Sequence, residues 1–144
     1  VLILDHLKAG FNIAKIFRSA EIFSIKKIYI IGTKEFNPFP AKGAIRRVPF
    51  EFRDSLEEVI LEIVSETEVF VLDTHTDFFL HNSTLPKKCA FIFGNEEMGP
   101  QLNEDTDRLV TKIKIKQFGK TESLNVSVAA SIACYEYIRQ NSSF

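Results

Sequence analysis

Short apolar runs recur along the chain, and each ends at a polar residue or a glycine. Within the runs apolar and polar residues do not alternate, and β-branched side chains are common. Both features are typical of strands that are buried on both faces of a sheet. The runs predict strands over residues 1–4, 27–31, 69–72 and 89–93, another within 108–115, and a short extended segment over 48–52.

Apolar residues at helical spacing separate these runs. Asn and Ser residues mark several helix starts, because their side chains accept hydrogen bonds from the unpaired N–H groups of a first turn. Helices are predicted from Asn12 as a cap, from Asp54 or Ser55 to about Glu66, and from Ser123–Asn125, with shorter helical turns at 41–47 and 101–105. Strands that alternate with helices predict an α/β fold, in which helices cover both faces of a parallel sheet.

Three of the predicted strands end in residues that favour a binding site. Asp73 and Thr74 follow one strand, Gly94-Asn95-Glu96 follows another, and a polar loop follows Ile115. Ligands of open α/β sheets bind beyond the carboxyl ends of the strands. The sequence therefore predicts a site built from these three loops.

Length and composition indicate one domain in a reducing compartment. The chain has 144 residues and a formal net charge of −1, which argues against a polycation that coats nucleic acid. Cys89 and Cys134 each lie in an apolar run, so buried free thiols and a cytoplasmic location are expected. No apolar run has the length of a membrane span, and no signal peptide is visible. The first residue is Val1 rather than Met, which leaves open a preceding segment or a whole preceding domain.

Several common site motifs are absent from the sequence. No G-x-G-x-x-G turn follows a strand, no lysine closes a glycine-rich loop, and there is no G-x-S-x-G elbow. Dinucleotide, P-loop and serine hydrolase sites are therefore disfavoured. The histidines have no metal-ligand spacing with the cysteines, so no metal site is expected.

The last predicted helix is rich in small residues. A helix with so little side-chain bulk predicts that another helix, a folded-back loop or a ligand approaches its backbone closely. The small residues are Ser127, Ala129, Ala130, Ser131 and Ala133.

Three segments together resemble a known family. Asn12 is followed six residues later by Arg18, F-G-N-E-x-x-G-P stands at 93–100 after a predicted strand, and E-S-L-N-V-S-V-A-A-S-I stands at 122–132. In this order and spacing they resemble the SpoU-type (TrmH-like) branch of the SPOUT superfamily of RNA 2′-O-ribose methyltransferases. The resemblance covers nearly the whole chain, and the last two motifs carry its specificity.

The resemblance implies a parallel-sheet α/β/α domain whose C-terminal part forms a deep trefoil knot. Residues 1–144 would be the catalytic domain of a SpoU methyltransferase, and residues 116–122 would thread through a loop of earlier chain. The implied methyl donor is S-adenosylmethionine, held by three loops. The donor-binding residues implied are Leu72 and Thr74, then Gly94, Asn95 and Glu96, and finally Ile115, Ser123 and Leu124.

The resemblance also implies catalytic residues and partners. It makes Arg18 the residue that activates the acceptor 2′-hydroxyl. Because a guanidinium is effectively never neutral in proteins, binding a phosphate or stabilising the alkoxide is its easier role. The residues implied to orient Arg18, the phosphate and the donor are Asn12, Glu96, Ser123 and Asn125. The implied partners are tRNA or rRNA, contacted by Arg18, Lys42, Arg46 and Arg47, and a second copy of the chain bound through the last helix; neither a membrane nor a metal is implied.

Two alternatives stay open at this point. A non-catalytic RNA-binding or dimerisation module on the same fold would bind RNA without needing Arg18. A doubly wound binder of another nucleotide would have no knot, and residues 116–122 would then lie outside any loop.

Overall fold

A single parallel sheet forms the centre of the molecule in the computed structural model, which describes residues 1–8 and 10–143. The strands in these residues are β1 (Leu2–Asp5), β2 (Ile28–Ile31), β3 (Phe50–Arg53), β4 (Glu68–Leu72), β5 (Cys89–Phe93) and β6 (Thr111–Ile113). Their order across the sheet is β3-β2-β1-β5-β4-β6, and every neighbouring pair is parallel. The expected parallel α/β sheet is thus confirmed.

The strands follow the apolar runs closely, with one informative difference. Every side chain of β1, β2 and β5 is buried, as expected of central strands in a covered sheet. In β3 the side chains alternate between exposed and half-buried, because β3 is an edge strand. It begins at Phe50 rather than at Val48, because the intervening Pro49 has no N–H to donate to a neighbouring strand.

Helices cover both faces of the sheet and make three layers. They are α1 (Asn12–Ile22), α2 (Leu56–Ile63), α3 (Glu104–Asp107) and α4 (Val126–Asn141). Alternate residues of β1 point to opposite faces: Leu2 and Leu4 pack in the core under α1 and α4, and Ile3 packs in the core under α2. The predicted turns at 41–47 form two short 3-10 helices, Phe39–Ala41 and Ala44–Arg46.

The helix boundaries correct several details of the prediction. Asn12 does not cap α1: Phe11 holds the cap position without a side-chain bond, and Asn12 is the first helical residue. Ser55 does cap α2, its Oγ accepting the N–H of Glu58 at 3.2 Å. The turn predicted at 101–105 begins later, at α3, because the Asn103 side chain accepts the N–H of Thr106 and caps the helix there.

The small residues of α4 allow α1 to pack closely against it. Ala130 and Ala133 are fully buried in the core that α4 shares with α1. The Oγ atoms of Ser19 on α1 and Ser131 on α4 are 2.6 Å apart. The expected close approach is therefore made by another helix. Among the described residues no helix combines the length and the apolar character that crossing a bilayer requires.

Both cysteines are free and buried, as predicted. Burial raises the pKa of the Cys89 thiol from 9.0 to about 11 and that of Cys134 to about 12. Since the thiolate is the reactive form, we expect neither thiol to react with a disulfide reagent at pH 8 in the folded protein and both to react in guanidinium. Because the folded pKa values exceed 9.0, the unfolded chain loses its thiol protons before the folded protein does. The free energy of unfolding is therefore unaffected by these thiols below pH 9 and falls as the pH rises further. Native-state labelling at the unfolded rate would contradict the prediction.

Candidate active site

A cleft of about 850 Å³ opens at the carboxyl ends of β4, β5 and β6. Its wall is formed by residues 72–75, 93–100, 114–115 and 122–126, with Ala129 of α4. These are the three loops at which the sequence predicted a site, together with the start of the last helix. A cleft of this size suits a small ligand or cofactor.

The first loop follows β4 and turns sharply. Leu72, Asp73 and Thr74 line the cleft. The Asp73 carboxylate accepts the backbone N–H of His75 at 2.8 Å, which holds the turn. Thr74 and Leu72, the two donor-binding residues predicted here, therefore lie on the cleft wall.

The second loop follows β5 and is closed on itself. The amide oxygen of Asn95 accepts the N–H groups of Glu97 and Met98 at 2.9 and 3.0 Å. A Cβ atom at Gly94 would lie 2.1 Å from the backbone nitrogen of Pro100, so no larger residue fits there without moving the backbone. Glycine is thus required for the two ends of the loop to come together.

The second loop is also tied to the segment between β1 and α1. Asn95 donates from Nδ2 to the carbonyl of His6 at 2.9 Å, and a carboxylate oxygen of Glu96 accepts the N–H of Lys8 at 3.2 Å. The fully buried Asp5 accepts the N–H of Gln101 at 3.0 Å. The segment that leads into α1 is thereby fixed to the loop that carries Glu96.

The third loop brings two of the sequence motifs into contact. Asn125 caps α4, because its Oδ1 accepts the N–H of Ser127 at 2.9 Å. Its Nδ2 donates to Oδ1 of Asn12 at 3.2 Å, across 113 positions of sequence. Ser123 and Leu124 line the cleft just before this cap. The start of α1 and the start of α4 thus meet at the edge of the cleft.

The structure brings together most, but not all, of the predicted site residues. Those on the cleft wall are Leu72, Thr74, Gly94, Asn95, Glu96, Ile115, Ser123, Leu124 and Asn125. Asn12 reaches the cleft through its bond to Asn125. Arg18 is exposed on α1, outside the wall, and its side chain makes no hydrogen bond or ion pair with the described residues. Lys42, Arg46 and Arg47 are also exposed and lie outside the wall, near α1.

Several cleft and supporting residues escaped the sequence analysis. Met98 lines the cleft, and Asp5 and Lys8 support the second loop. Lys8 and Asp5 bond to residues that are 88 and 96 positions away in the sequence, so no local pattern indicates either of them. The only indication was that Asp5 ends an apolar run. The described residues contain no cluster of His, Cys, Asp and Glu that could hold a metal ion.

Asn125 offers a test of the link between the two motifs. Asn125→Ala removes the cap and the bond to Asn12, and we expect it to lower the free energy of unfolding by about 1 kcal/mol and to weaken ligand binding in the cleft. Asn125→Asp keeps the capping oxygen but cannot donate to Asn12, so it should retain most of the stability and still weaken binding. Urea unfolding measures the first effect, and titration with S-adenosylmethionine, the donor that the resemblance implies, measures the second. Asn103→Ala, which uncaps α3 instead, is the matched control; equal binding losses in both alanine variants would contradict the assignment.

Comparison with known proteins places the chain in a family. The model of the SpoU rRNA Methylase family matches residues 1–135. A 23S rRNA (guanosine-2′-O-)-methyltransferase RlmB from Nitrosomonas europaea is 30% identical over 99% of this chain and 56% of its own length. The chain belongs to the SpoU rRNA methylase family, and it spans little more than half of the length of that relative.

Solved structures share the fold. A TrmH/SpoU tRNA modifying enzyme from A. aeolicus superposes with a TM-score of 0.85 at 23% identity, covering 97% of this chain and 74% of that one. The SpoU methyltransferase AviRb from Streptomyces viridochromogenes, in complex with the cofactor AdoMet, superposes with a TM-score of 0.84 at 22% identity, covering 99% and 58%. Both likenesses confirm the α/β architecture.

Proposed function

We propose that this chain is the catalytic domain of an S-adenosylmethionine-dependent RNA methyltransferase that modifies a ribose 2′-hydroxyl of tRNA or rRNA. The observation that carries the proposal is the convergence of the three loops into one cleft, at whose edge Asn12 and Asn125 meet. The names of the family relatives support it. The RlmB relative is named as a 2′-O-methyltransferase acting on guanosine in 23S rRNA.

The cleft fits the proposed donor. Leu72, Ile115 and Leu124 give it apolar walls, which suit an adenine ring. Gly94 lets the backbone of the second loop approach a ligand closely. S-adenosylmethionine, when bound, supplies an electrophilic methyl group. The residues of this chain contribute by holding the donor and the ribose oxygen in line, which lowers the barrier through orientation.

Arg18 is the proposed catalytic residue for the acceptor. It follows Asn12 by six residues, and the helix rise places it about 9 Å further along α1. Since its guanidinium makes no side-chain bond or ion pair with the described residues, it is available to a phosphate oxygen and to the charge that develops on the 2′-oxygen. Asn12, Glu96, Ser123 and Asn125 would orient the helix start, the donor and the phosphate around it.

A second copy of the chain is the proposed protein partner. The outer side of the α1–α4 pair exposes Ile22 to 67%, Val128 to 45% and Ile132 to 37%. Apolar side chains on adjoining packed helices make a surface that a second α4 can cover.

Lys42, Arg46 and Arg47 are the proposed RNA contacts. The proposed site of action is the cytoplasm, and the buried free thiols support it.

We also propose that the third loop is part of a deep trefoil knot. Gln117 donates from Nε2 to the carbonyl of Glu122 at 3.2 Å, so the loop folds back on itself before α4. The likeness to the TrmH/SpoU fold supports the same path for the chain.

Calorimetry with S-adenosylmethionine tests the donor, and RNA digestion followed by mass spectrometry tests the product. We expect saturable heat and a 2′-O-methylated nucleoside that forms only with active protein. Absence of saturable heat at millimolar donor would contradict the proposal. Saturable heat without methyl transfer, together with RNA binding that is unchanged in Arg18→Ala, would indicate a non-catalytic RNA-binding module instead.

A further inference from the structure

Phenylalanine rings gather at the open edge of the sheet, on the side covered by α1. Phe50 and Phe52 are two residues apart on β3 and so point to the same face, with ring centroids 5.7 Å apart. The ring of Phe36 lies 6.4 Å from each of them. Phe39, three residues after Phe36, lies in the short helix that packs against α1. We call these four residues the aromatic patch.

Core packing accounts for only the inner side of the aromatic patch. Phe17 of α1 is fully buried, and its ring lies 5.5 Å from that of Phe36 and 5.2 Å from that of Phe50. The outer side faces solvent: Phe52 is 38% exposed and Phe39 is 77% exposed. A ring left in water forgoes the stabilisation that burial gives, so packing does not explain Phe39.

Positive charge is concentrated in the segment that carries Phe36 and Phe39. Residues 34–47 contain four cationic side chains and one carboxylate, in a chain whose net charge is −1. Lys42, Arg46 and Arg47 form no ion pair within the part of the chain that the structure describes. The patch therefore combines exposed rings with unpaired cations, which suits a polyanion that carries flat apolar groups.

Lys42 is held in a specific relation to Phe39. Its Nζ lies 5.4 Å from the centroid of the Phe39 ring. The backbone brings the two together, because Lys42 and Gly43 both adopt left-handed conformations, with φ of 52° and 86°, and the Lys42 N–H donates to the carbonyl of Phe39 at 3.3 Å. The ammonium group thus lies over the Phe39 ring, and most of the residue remains exposed to solvent.

We infer that the aromatic patch binds unpaired nucleotides of the RNA substrate, with a base stacked on the exposed ring of Phe39 and a flanking phosphate at Lys42. The inference rests on the proposed function for the identity of the RNA as substrate. Stacking requires bases that are not enclosed in a duplex, so the bound segment is a loop or a single strand. Base–aromatic stacking beside basic side chains is how single strands are held without sequence readout.

Binding of a labelled single-stranded oligouridylate of about 12 nucleotides, measured by fluorescence anisotropy without donor, tests the inference. We expect Phe39→Leu to weaken binding about tenfold, because leucine keeps the apolar contact but removes the stacking face. Phe39→Tyr should bind within about twofold of the original protein. Phe78→Leu, which changes an exposed ring at the opposite end of the sheet, is the matched control and should have no effect. Lys42→Gln should also reduce the salt dependence of binding by about the share of one phosphate.

Three results would overturn the inference. The first is unchanged single-strand affinity in Phe39→Leu, and the second is an equal loss on a matched RNA duplex. The third is a change of oligomeric state in Phe39→Leu by sedimentation, which would assign the aromatic patch to contact between copies of the chain. Titration of Phe39→Leu with S-adenosylmethionine separates the two proposals. Absence of donor binding in the original protein would contradict the proposed function. Phe39→Leu, in contrast, should lose the stacking contact and keep its affinity for the donor.

Discussion

Arg18→Lys is expected to slow methyl transfer to RNA by about a hundredfold or more, while leaving the affinity for S-adenosylmethionine within about twofold. The side chain lies outside the cleft wall, so the donor does not depend on it. Under the proposed function the acceptor does, because the planar guanidinium can bind a phosphate through two N–H groups and still face the developing alkoxide, whereas an ammonium is a point charge. Single-turnover methyl transfer and donor calorimetry measure the two quantities separately.

Arg108→Lys provides the matched control for this substitution. Arg108 is 75% exposed in its side chain and pairs with Asp105 on α3, away from the cleft. An exposed ion pair of this kind contributes little to stability, so the variant should behave like the original protein. Full activity in Arg18→Lys, or a parallel loss of donor affinity, would remove Arg18 from the acceptor side of the mechanism.

Gly94→Ala is expected to lower donor affinity by at least tenfold and the free energy of unfolding by about 1–3 kcal/mol. The added Cβ would lie 2.1 Å from the Pro100 nitrogen and 2.4 Å from the Gly99 carbonyl carbon. Both are backbone atoms, so no side-chain rotation relieves the clash, and the second loop must open. Donor calorimetry and urea unfolding measure the two losses.

Gly10→Ala is the matched control, because an added Cβ has space at this position. A Cβ at Gly10 would meet no atom of the described residues within 4 Å, and the backbone there is not left-handed. This variant should retain donor affinity and stability. Donor affinity unchanged in Gly94→Ala would mean that the second loop does not form the donor site.

Patterns that are local in sequence predicted the strands and the position of the cleft. The apolar runs at β1, β2, β4 and β5 had no alternation because both faces of those strands are covered, and polar residues at their carboxyl ends marked the loops. Asn125 was identified as a helix start for the right reason, since its side chain does cap α4. Asn12 was predicted to cap α1 and does not, because its amide oxygen accepts a hydrogen bond from Asn125 instead of from its own helix.

The pairings between distant segments had no local sign. Asp5 ends an apolar run like other strand residues, and nothing near it indicates that it will accept the N–H of Gln101. In the sequence Lys8 resembles any solvated lysine, and only the structure shows that its backbone N–H donates to Glu96. The basic side chains in the segment that carries Phe39 were recognised as candidates for RNA, but the rings were not, because exposure of Phe39 depends on how the short helices fold back on α1.

The arrangement of the cleft has a consequence for synthesis on the ribosome. Its walls come from segments that begin at Leu72 and end at Ala129, and the residue that joins the two helix starts, Asn125, is also near the end. A growing chain can form β1, α1 and β2 early, since these are consecutive, but it has no complete pocket until α4 leaves the exit tunnel. If the chain has the proposed function, nascent chains stalled before α4 should therefore neither bind the methyl donor nor modify RNA.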